Sequence, residues 1–280
     1  MSPLPSQPEE SPSATMEYLR GIAASAAHEN KLSLEHLQAF VALRPKSAIG
    51  YRELAGQLYA LHRTDESQNA YAKAIQIDPS LISARVLYGQ LLQERLYPGA
   101  AEEHLRYAWE QGRGSTAAVI PLCNLLREQH KDSERLKLLN EAVIRNPWDS
   151  NLWNYFGQSK QASLDHAGAA GAFARSADLM PENEIVRLHA AEEFESAGKN
   201  TQAAEQYHLL AAQHDQSAAA HYFLARFLAR NDARRDEAIR QAQLALALSA
   251  HQSAPPRATI EALISAIRAG RAGDASDFRL

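Results

Sequence analysis

An all-α array of helical hairpins is the fold class this sequence predicts, and three observations predict it. Prolines stand at Pro45, Pro79, Pro147 and Pro181, a 34-residue beat that skips only the place held by Arg113 in Gly112-Arg113-Gly114. On the same beat, small residues recur at Gly89, Cys123, Gly157 and Ala191, and bulky ones at Tyr71, Phe173 and Tyr207. Within a beat the spacing is helical: Ser67, Ala70, Tyr71 and Ala74 fall at i, i+3, i+4 and i+7, one face of a helix. A period of this length marks helix–turn–helix units that bury their apolar faces only by stacking on one another.

The elements follow in order. Residues 1–13 are rich in Pro, Ser and Glu, with no basic start and no apolar core, so they read as a disordered tail and not as a secretory signal. Setting each proline at the thirty-second place of a unit gives seven units: 14–47, 48–81, 82–115, 116–149, 150–183, 184–217 and 218–252. In the second unit, Thr64 is the expected N-cap of the second helix, with Asp65 and Glu66 in its first turn, and Pro79 stops that helix. Small residues mark where the two helices of a pair approach closely, and the aromatics fill the gap to the next pair. The last unit carries one extra residue near 231–235, which brings Ala238, Ala242 and Ala245 into register. Pro255-Pro256 then breaks the chain, and Ile260, Leu263, Ile264 and Ile267 mark one face of a closing helix over 256–269. A flexible tail is expected over 270–280.

The units resemble the tetratricopeptide repeat (TPR) family. The unit from Ser150 carries Trp153, Phe156-Gly157, Ala169, Phe173, Ser176 and Pro181, and the unit from Ala48 carries Tyr51, Leu54-Ala55, Leu58, Ser67, Tyr71, Ala74 and Pro79. Two places depart from the family pattern: Arg20 stands where leucine is usual, and Lys160 takes the usual tyrosine place, so it must snorkel or pair. The resemblance implies a right-handed superhelical solenoid of about seven repeats, closed by a C-terminal capping helix. It also implies a concave surface lined by the first helix of each pair.

Carrying the family's groove places onto this chain gives Asn124, Asn151, Asn154, Tyr155, Gln158 and Gln161 in the middle, and Tyr222, Phe223, Arg226 and Arg230 near the end, after His189, Glu192 and Glu195. Amides both donate and accept, so the middle wall suits the backbone of an extended peptide whatever its sequence. Arg226 and Arg230, at i and i+4, are expected to hold a carboxylate or acidic stretch, with Tyr222 and Phe223 packing an apolar anchor beside it. The carboxylate clamp of heat-shock co-chaperones is not expected, because its places hold Arg52 and Gly56, Val86 and Gln90, and Ile120 and Asn124.

Composition bounds the rest. A formal charge of −4 lacks the basic field of a nucleic-acid binder. No apolar stretch approaches the roughly 20 residues that span a bilayer. A lone cysteine, Cys123, excludes an internal disulfide framework and suits a reducing, cytoplasmic setting. Cys123 occupies a small-residue place, where a buried inert thiol is expected. No phosphate loop, nucleophile elbow or His-Glu-x-x-His pair occurs, and the 11 histidines look scattered, without metal-ligand spacing. The expectation is a non-catalytic scaffold that needs no cofactor or metal and binds a protein or peptide in its groove. The alternative is an adaptor that presents substrates to a separate modifying enzyme for glycan transfer, sulfation or protein modification. The imperfect first unit also leaves an apolar end available for self-association.

Overall fold

A computed structural model describes residues 12–112, 116–230, 232–251 and 255–270. Arg113 and Gly114 of the expected turn, Asn231 and nearly all of the two expected tails lie outside the described residues. Among those described, every regular element is helical. The chain divides into two compact units, Met1–Arg135 and Leu136–Leu280.

In the first unit the helices are α1 (Pro12–Ala26), α2 (Asn30–Leu43), α3 (Ala48–Ala60), α4 (Thr64–Ile77), α5 (Ile82–Glu94), α6 (Pro98–Gln111) and α7 (Val119–Glu128); α8 (Asp132–Arg145) carries the boundary. Each of α1 to α6 packs on its successor, and α5 also touches α3 and α7. The second unit holds α9 (Ser150–Ala162), α10 (His166–Leu179), α11 (Glu184–Ser196), α12 (Asn200–Gln213), α13 (Ala218–Leu228), α14 (Arg235–Leu248) and α15 (Arg257–Arg268). Here too each helix from α9 to α15 packs on its successor. α1 begins at Pro12, inside the expected tail, because proline is preorganised for the first position of a helix.

The repeat is legible in the packing. Phe173, fully buried on α10, presses against Gly157 of α9 so closely that a Cβ there would come within 2.6 Å of the ring. Leu105 of α6 sits on Gly89 of α5 in the same manner, at 2.7 Å. Ser33 and Ser67, both fully buried, each donate a hydrogen bond of 2.8 Å across their helix pair, to the carbonyls of Gly21 and Ala55. Lys160 pairs with Asp165 at 2.7 Å and lies 5.0 Å from the centre of the Phe156 ring, which resolves its departure from the pattern. Cys123 is buried, and that burial pushes its thiol up to about 12, so the sulfur stays protonated and inert.

Two expectations are corrected. Thr64 does not cap α4: it is the first helical residue, Arg63 holds the cap position, and no side chain caps the helix. The histidines are not all scattered. His28, His62, Leu96, His130, Leu164 and Gly198, each 34 residues from the next, all have positive φ of 57–70°. Each forms the left-handed turn between paired helices. The following amide reaches back to the helix just ended, from Glu29 to Ala24, Arg63 to Leu58, Tyr97 to Leu92, Lys131 to Leu126, Asp165 to Lys160 and Lys199 to Phe194, at 2.8–2.9 Å. This is the Schellman closure, in which one αL residue satisfies carbonyls the helix leaves open. Three histidines therefore serve a turn.

A 3₁₀ turn at Asp232–Arg234 leads into α14, and the amphipathic helix α15 is the last described helix. Ile260, Leu263, Ile264 and Ile267 are buried in the same apolar cluster as Ala238, Ala242 and Ala245 of α14.

Candidate peptide-binding groove

In the first unit, the first helices of successive pairs lie side by side and leave a groove of about 790 Å³ between α3, α5 and α7. Its apolar surface comes from Leu87 and Leu91 of α5 and Ile120 and Pro121 of α7. Leu87, in the middle of α5, is 36% exposed and turns toward the cavity it lines. Gln90 and Asn124 stand at equivalent places on α5 and α7 and offer amides to the cavity.

Two carboxylates, Glu94 and Glu128, border the groove 34 residues apart, at the ends of α5 and α7. The Tyr59 hydroxyl donates to Glu94 at 2.7 Å, and the Gln93 amide donates to Glu128 at 2.9 Å. Each bond runs from the last turn of one first helix to the end of the next. The hydrogen bond to Glu94, which only the neutral phenol can donate, holds the Tyr59 hydroxyl above its usual range. Both donors are neutral, so neither bond brings a counter-charge to the carboxylates.

The second unit has a smaller cavity of about 420 Å³, lined by Glu192 and Glu195 of α11 and by Phe223, Arg226 and Arg230. Its two arginines are already answered by glutamates, and a third carboxylate there, Glu193, is bonded by Gln161 and His166. Arg226 is buried, 3.3 Å from Glu192 and stacked 5.0 Å from the Phe223 ring centre. Arg230 pairs with Glu195, which also accepts a 2.8 Å bond from the Tyr207 hydroxyl. The expected carboxylate clamp is thus corrected: both arginines are engaged by glutamates that precede them by 34 and 35 residues. Tyr222 is corrected too, since it is fully buried in the core, and Phe223 is nearly so. Helix α13 is buried on nearly every side, Tyr222 through Ala225 included, so its apolar pattern does not single out a groove face in the sequence.

The expected amide residues are divided between the two units. Asn124 lines the first unit's groove. On α9, Asn151 and Gln158 are exposed and Asn154 and Tyr155 half-buried, with Gln158 donating to Asn154 at 3.4 Å. Gln161 is committed to Glu193 at 2.7 Å, and the same carboxylate bonds His166 at 2.8 Å. Leu87, Gln90, Glu94, Ile120 and Glu128 are additions that the sequence reading did not assign to the site. The same first-helix places, carried onto α5 as well as α7, would have found them.

Among the described residues, no group of His, Cys, Asp and Glu is placed to hold a metal ion, and no helix is long and apolar enough to cross a membrane. By sequence the chain matches no protein-family model and no curated protein. Its fold is well represented among solved structures. The C-terminal part of a TPR repeat-containing protein from Cytophaga hutchinsonii aligns with a TM-score of 0.65 at 14% identity, over 84% of this chain and 96% of that one. PilW, a type IV pilus biogenesis factor, aligns with a TM-score of 0.56 at 14% identity, over 72% and 94%. YrrB, described as a TPR protein with an unusual peptide-binding site, gives 0.50 at 18%, over 64% and 92%. Together with the 34-residue packing and turn register, these likenesses make the fold of this chain that of the tetratricopeptide repeat proteins.

Proposed function

We propose that this chain is a non-catalytic interaction scaffold that holds an extended segment of a partner protein in the groove of α3, α5 and α7. The observation that carries this reading is the pairing of exposed Leu87 with Ile120 inside a cavity of about 790 Å³, flanked by Gln90 and Asn124. Apolar anchors supply affinity by leaving water, and neutral amides pair with peptide backbone without demanding a sequence. Asn151, Asn154, Tyr155 and Gln158 on α9 offer a separate polar contact surface in the second unit. A peptide-binding site on the same fold in YrrB is in keeping with this use of it.

The test is cross-linking mass spectrometry on the full chain in extract, with wild type beside the double variant Leu87→Gln/Ile120→Gln. A partner cross-linked to α5 and α7 in wild type and lost in the variant is the expected result. A partner retained equally by both proteins would remove the groove from the function.

A further inference from the structure

We infer that the α3–α5–α7 groove selects a cationic segment: an extended stretch of a partner protein with two Lys or Arg side chains about three residues apart, flanking an aliphatic residue. This rests on the groove reading and adds the chemistry of the occupant.

The charge of the groove is one-sided. Glu94 and Glu128 are the charged residues that line it, and among the described residues neither pairs with a cation. Tyr59 and Gln93 hold the two carboxylates in place with one neutral hydrogen bond each. A carboxylate has about four lone-pair sites, so most of its accepting capacity remains for an incoming ammonium or guanidinium group. An acidic segment, or a chain-terminal carboxylate, would meet two negative charges and gain nothing in return. Arg127, next to Glu128 in sequence, is exposed and does not line the groove.

The spacing follows from the repeat. α5 and α7 touch, and packed helices lie roughly 8–10 Å apart. An extended chain rises about 3.3 Å per residue, so equivalent places on the two helices are spanned by about three residues. In the polyproline II form the rise is a similar ~3.1 Å with three residues per turn, so side chains three apart share the face turned to the groove. Between the two cations, an aliphatic side chain reaches Leu87 and Ile120, while Gln90 and Asn124 face the intervening backbone.

The experiment is fluorescence anisotropy with three labelled decapeptides that share one central leucine and differ only in a residue pair three apart: Lys, Gln or Glu. Wild type is expected to bind the Lys peptide about tenfold more tightly than the Gln peptide and to ignore the Glu peptide, with the preference shrinking as salt rises. Glu94→Gln/Glu128→Gln keeps both neutral hydrogen bonds and is expected to make the Lys and Gln peptides equal. Leu87→Gln/Ile120→Gln is expected to weaken all peptides that bind. Circular dichroism of each variant establishes that the helices are retained. A Lys preference that survives Glu94→Gln/Glu128→Gln, or a Glu peptide that binds as well, overturns the charge inference and leaves the groove reading standing. Failure of wild type to bind the Lys peptide overturns it as well. Binding untouched by Leu87→Gln/Ile120→Gln overturns the groove reading itself.

Discussion

The grooves of the two units use one geometry with opposite chemistry. In the first, Tyr59 donates to Glu94 and Gln93 to Glu128; in the second, Glu195 receives Arg230. All three links span 35 residues, from the twelfth place of one repeat to the thirteenth of the next. The repeat therefore fixes where side chains meet, and the residue at each end decides what charge is left over. Neutral donors leave the first groove anionic. In the second, Arg226 and Arg230 answer Glu192 and Glu195, so residues that look like ligand-binding cations in the sequence are spent within the protein. A charged residue at a groove place is available to a partner only if the neighbouring repeat does not answer it.

The largest expected effect separates the units by how hard they pack. Gly157→Ala should cost about 2 kcal/mol, because the new Cβ would meet the fully buried Phe173 ring, which has nowhere to turn. Gly89→Ala should cost less, about 1 kcal/mol: Leu105 is also fully buried and the Ala101 carbonyl lies at 3.3 Å, but a branched aliphatic end obstructs the new Cβ less than an aromatic ring. Hydrogen exchange read helix by helix checks this, as a repeat array need not unfold in two states. Equal losses of protection in α5/α6 and α9/α10 would mean that the two pairs are equally yielding.

A middle-sized effect tests the electrostatic contrast. Glu192→Gln/Glu195→Gln should destabilise α11 and α13 by about 1–2 kcal/mol, because the buried Arg226 loses its counter-charge and its Nε already lacks a partner among the described residues. The partial exposure of Glu192 keeps the cost below that of a fully buried pair. Glu94→Gln/Glu128→Gln should stay within about 0.5 kcal/mol of wild type, since only neutral donors face those carboxylates. The same hydrogen-exchange readout compares them, and equal costs would erase the distinction between the grooves.

The smallest effect concerns the turns that the units share. Leu96 and Leu164 hold left-handed backbone that leucine adopts at a cost, and both are largely exposed. Leu96→Gly and Leu164→Gly should each stabilise by about 0.5 kcal/mol, the relief of strain being offset in part by the entropy of glycine. A fall in thermal midpoint for either would show that the leucine contributes more by contact than it loses by strain.

Much of this architecture was legible in the chain. The prolines, the small places at Gly89, Cys123, Gly157 and Ala191, and the fillers at Tyr71, Phe173 and Tyr207 are demands of helix packing, and packing repeats with the sequence. The turn residues were less legible. At His28, His62, Leu96, His130 and Leu164 the backbone is closed by main-chain hydrogen bonds that no side chain advertises, and only Gly198 carries the compositional sign. The candidate site was read least well. Arg226, Arg230 and Tyr222 were placed on a surface by position, while Asn124 alone among the proposed residues lines the larger groove.

By itself, the sequence determined the period, the helical hairpins, the inert place of Cys123 and the closing face of Ile260, Leu263, Ile264 and Ile267. These depend on contacts within a pair or with the next pair, so a periodic pattern of size and polarity suffices to specify them. Only the tertiary structure decided which charges remain unanswered. Whether Glu94 meets a phenol or Glu195 meets a guanidinium depends on two residues 35 positions apart arriving at one point, and a charge becomes available or spent through that meeting.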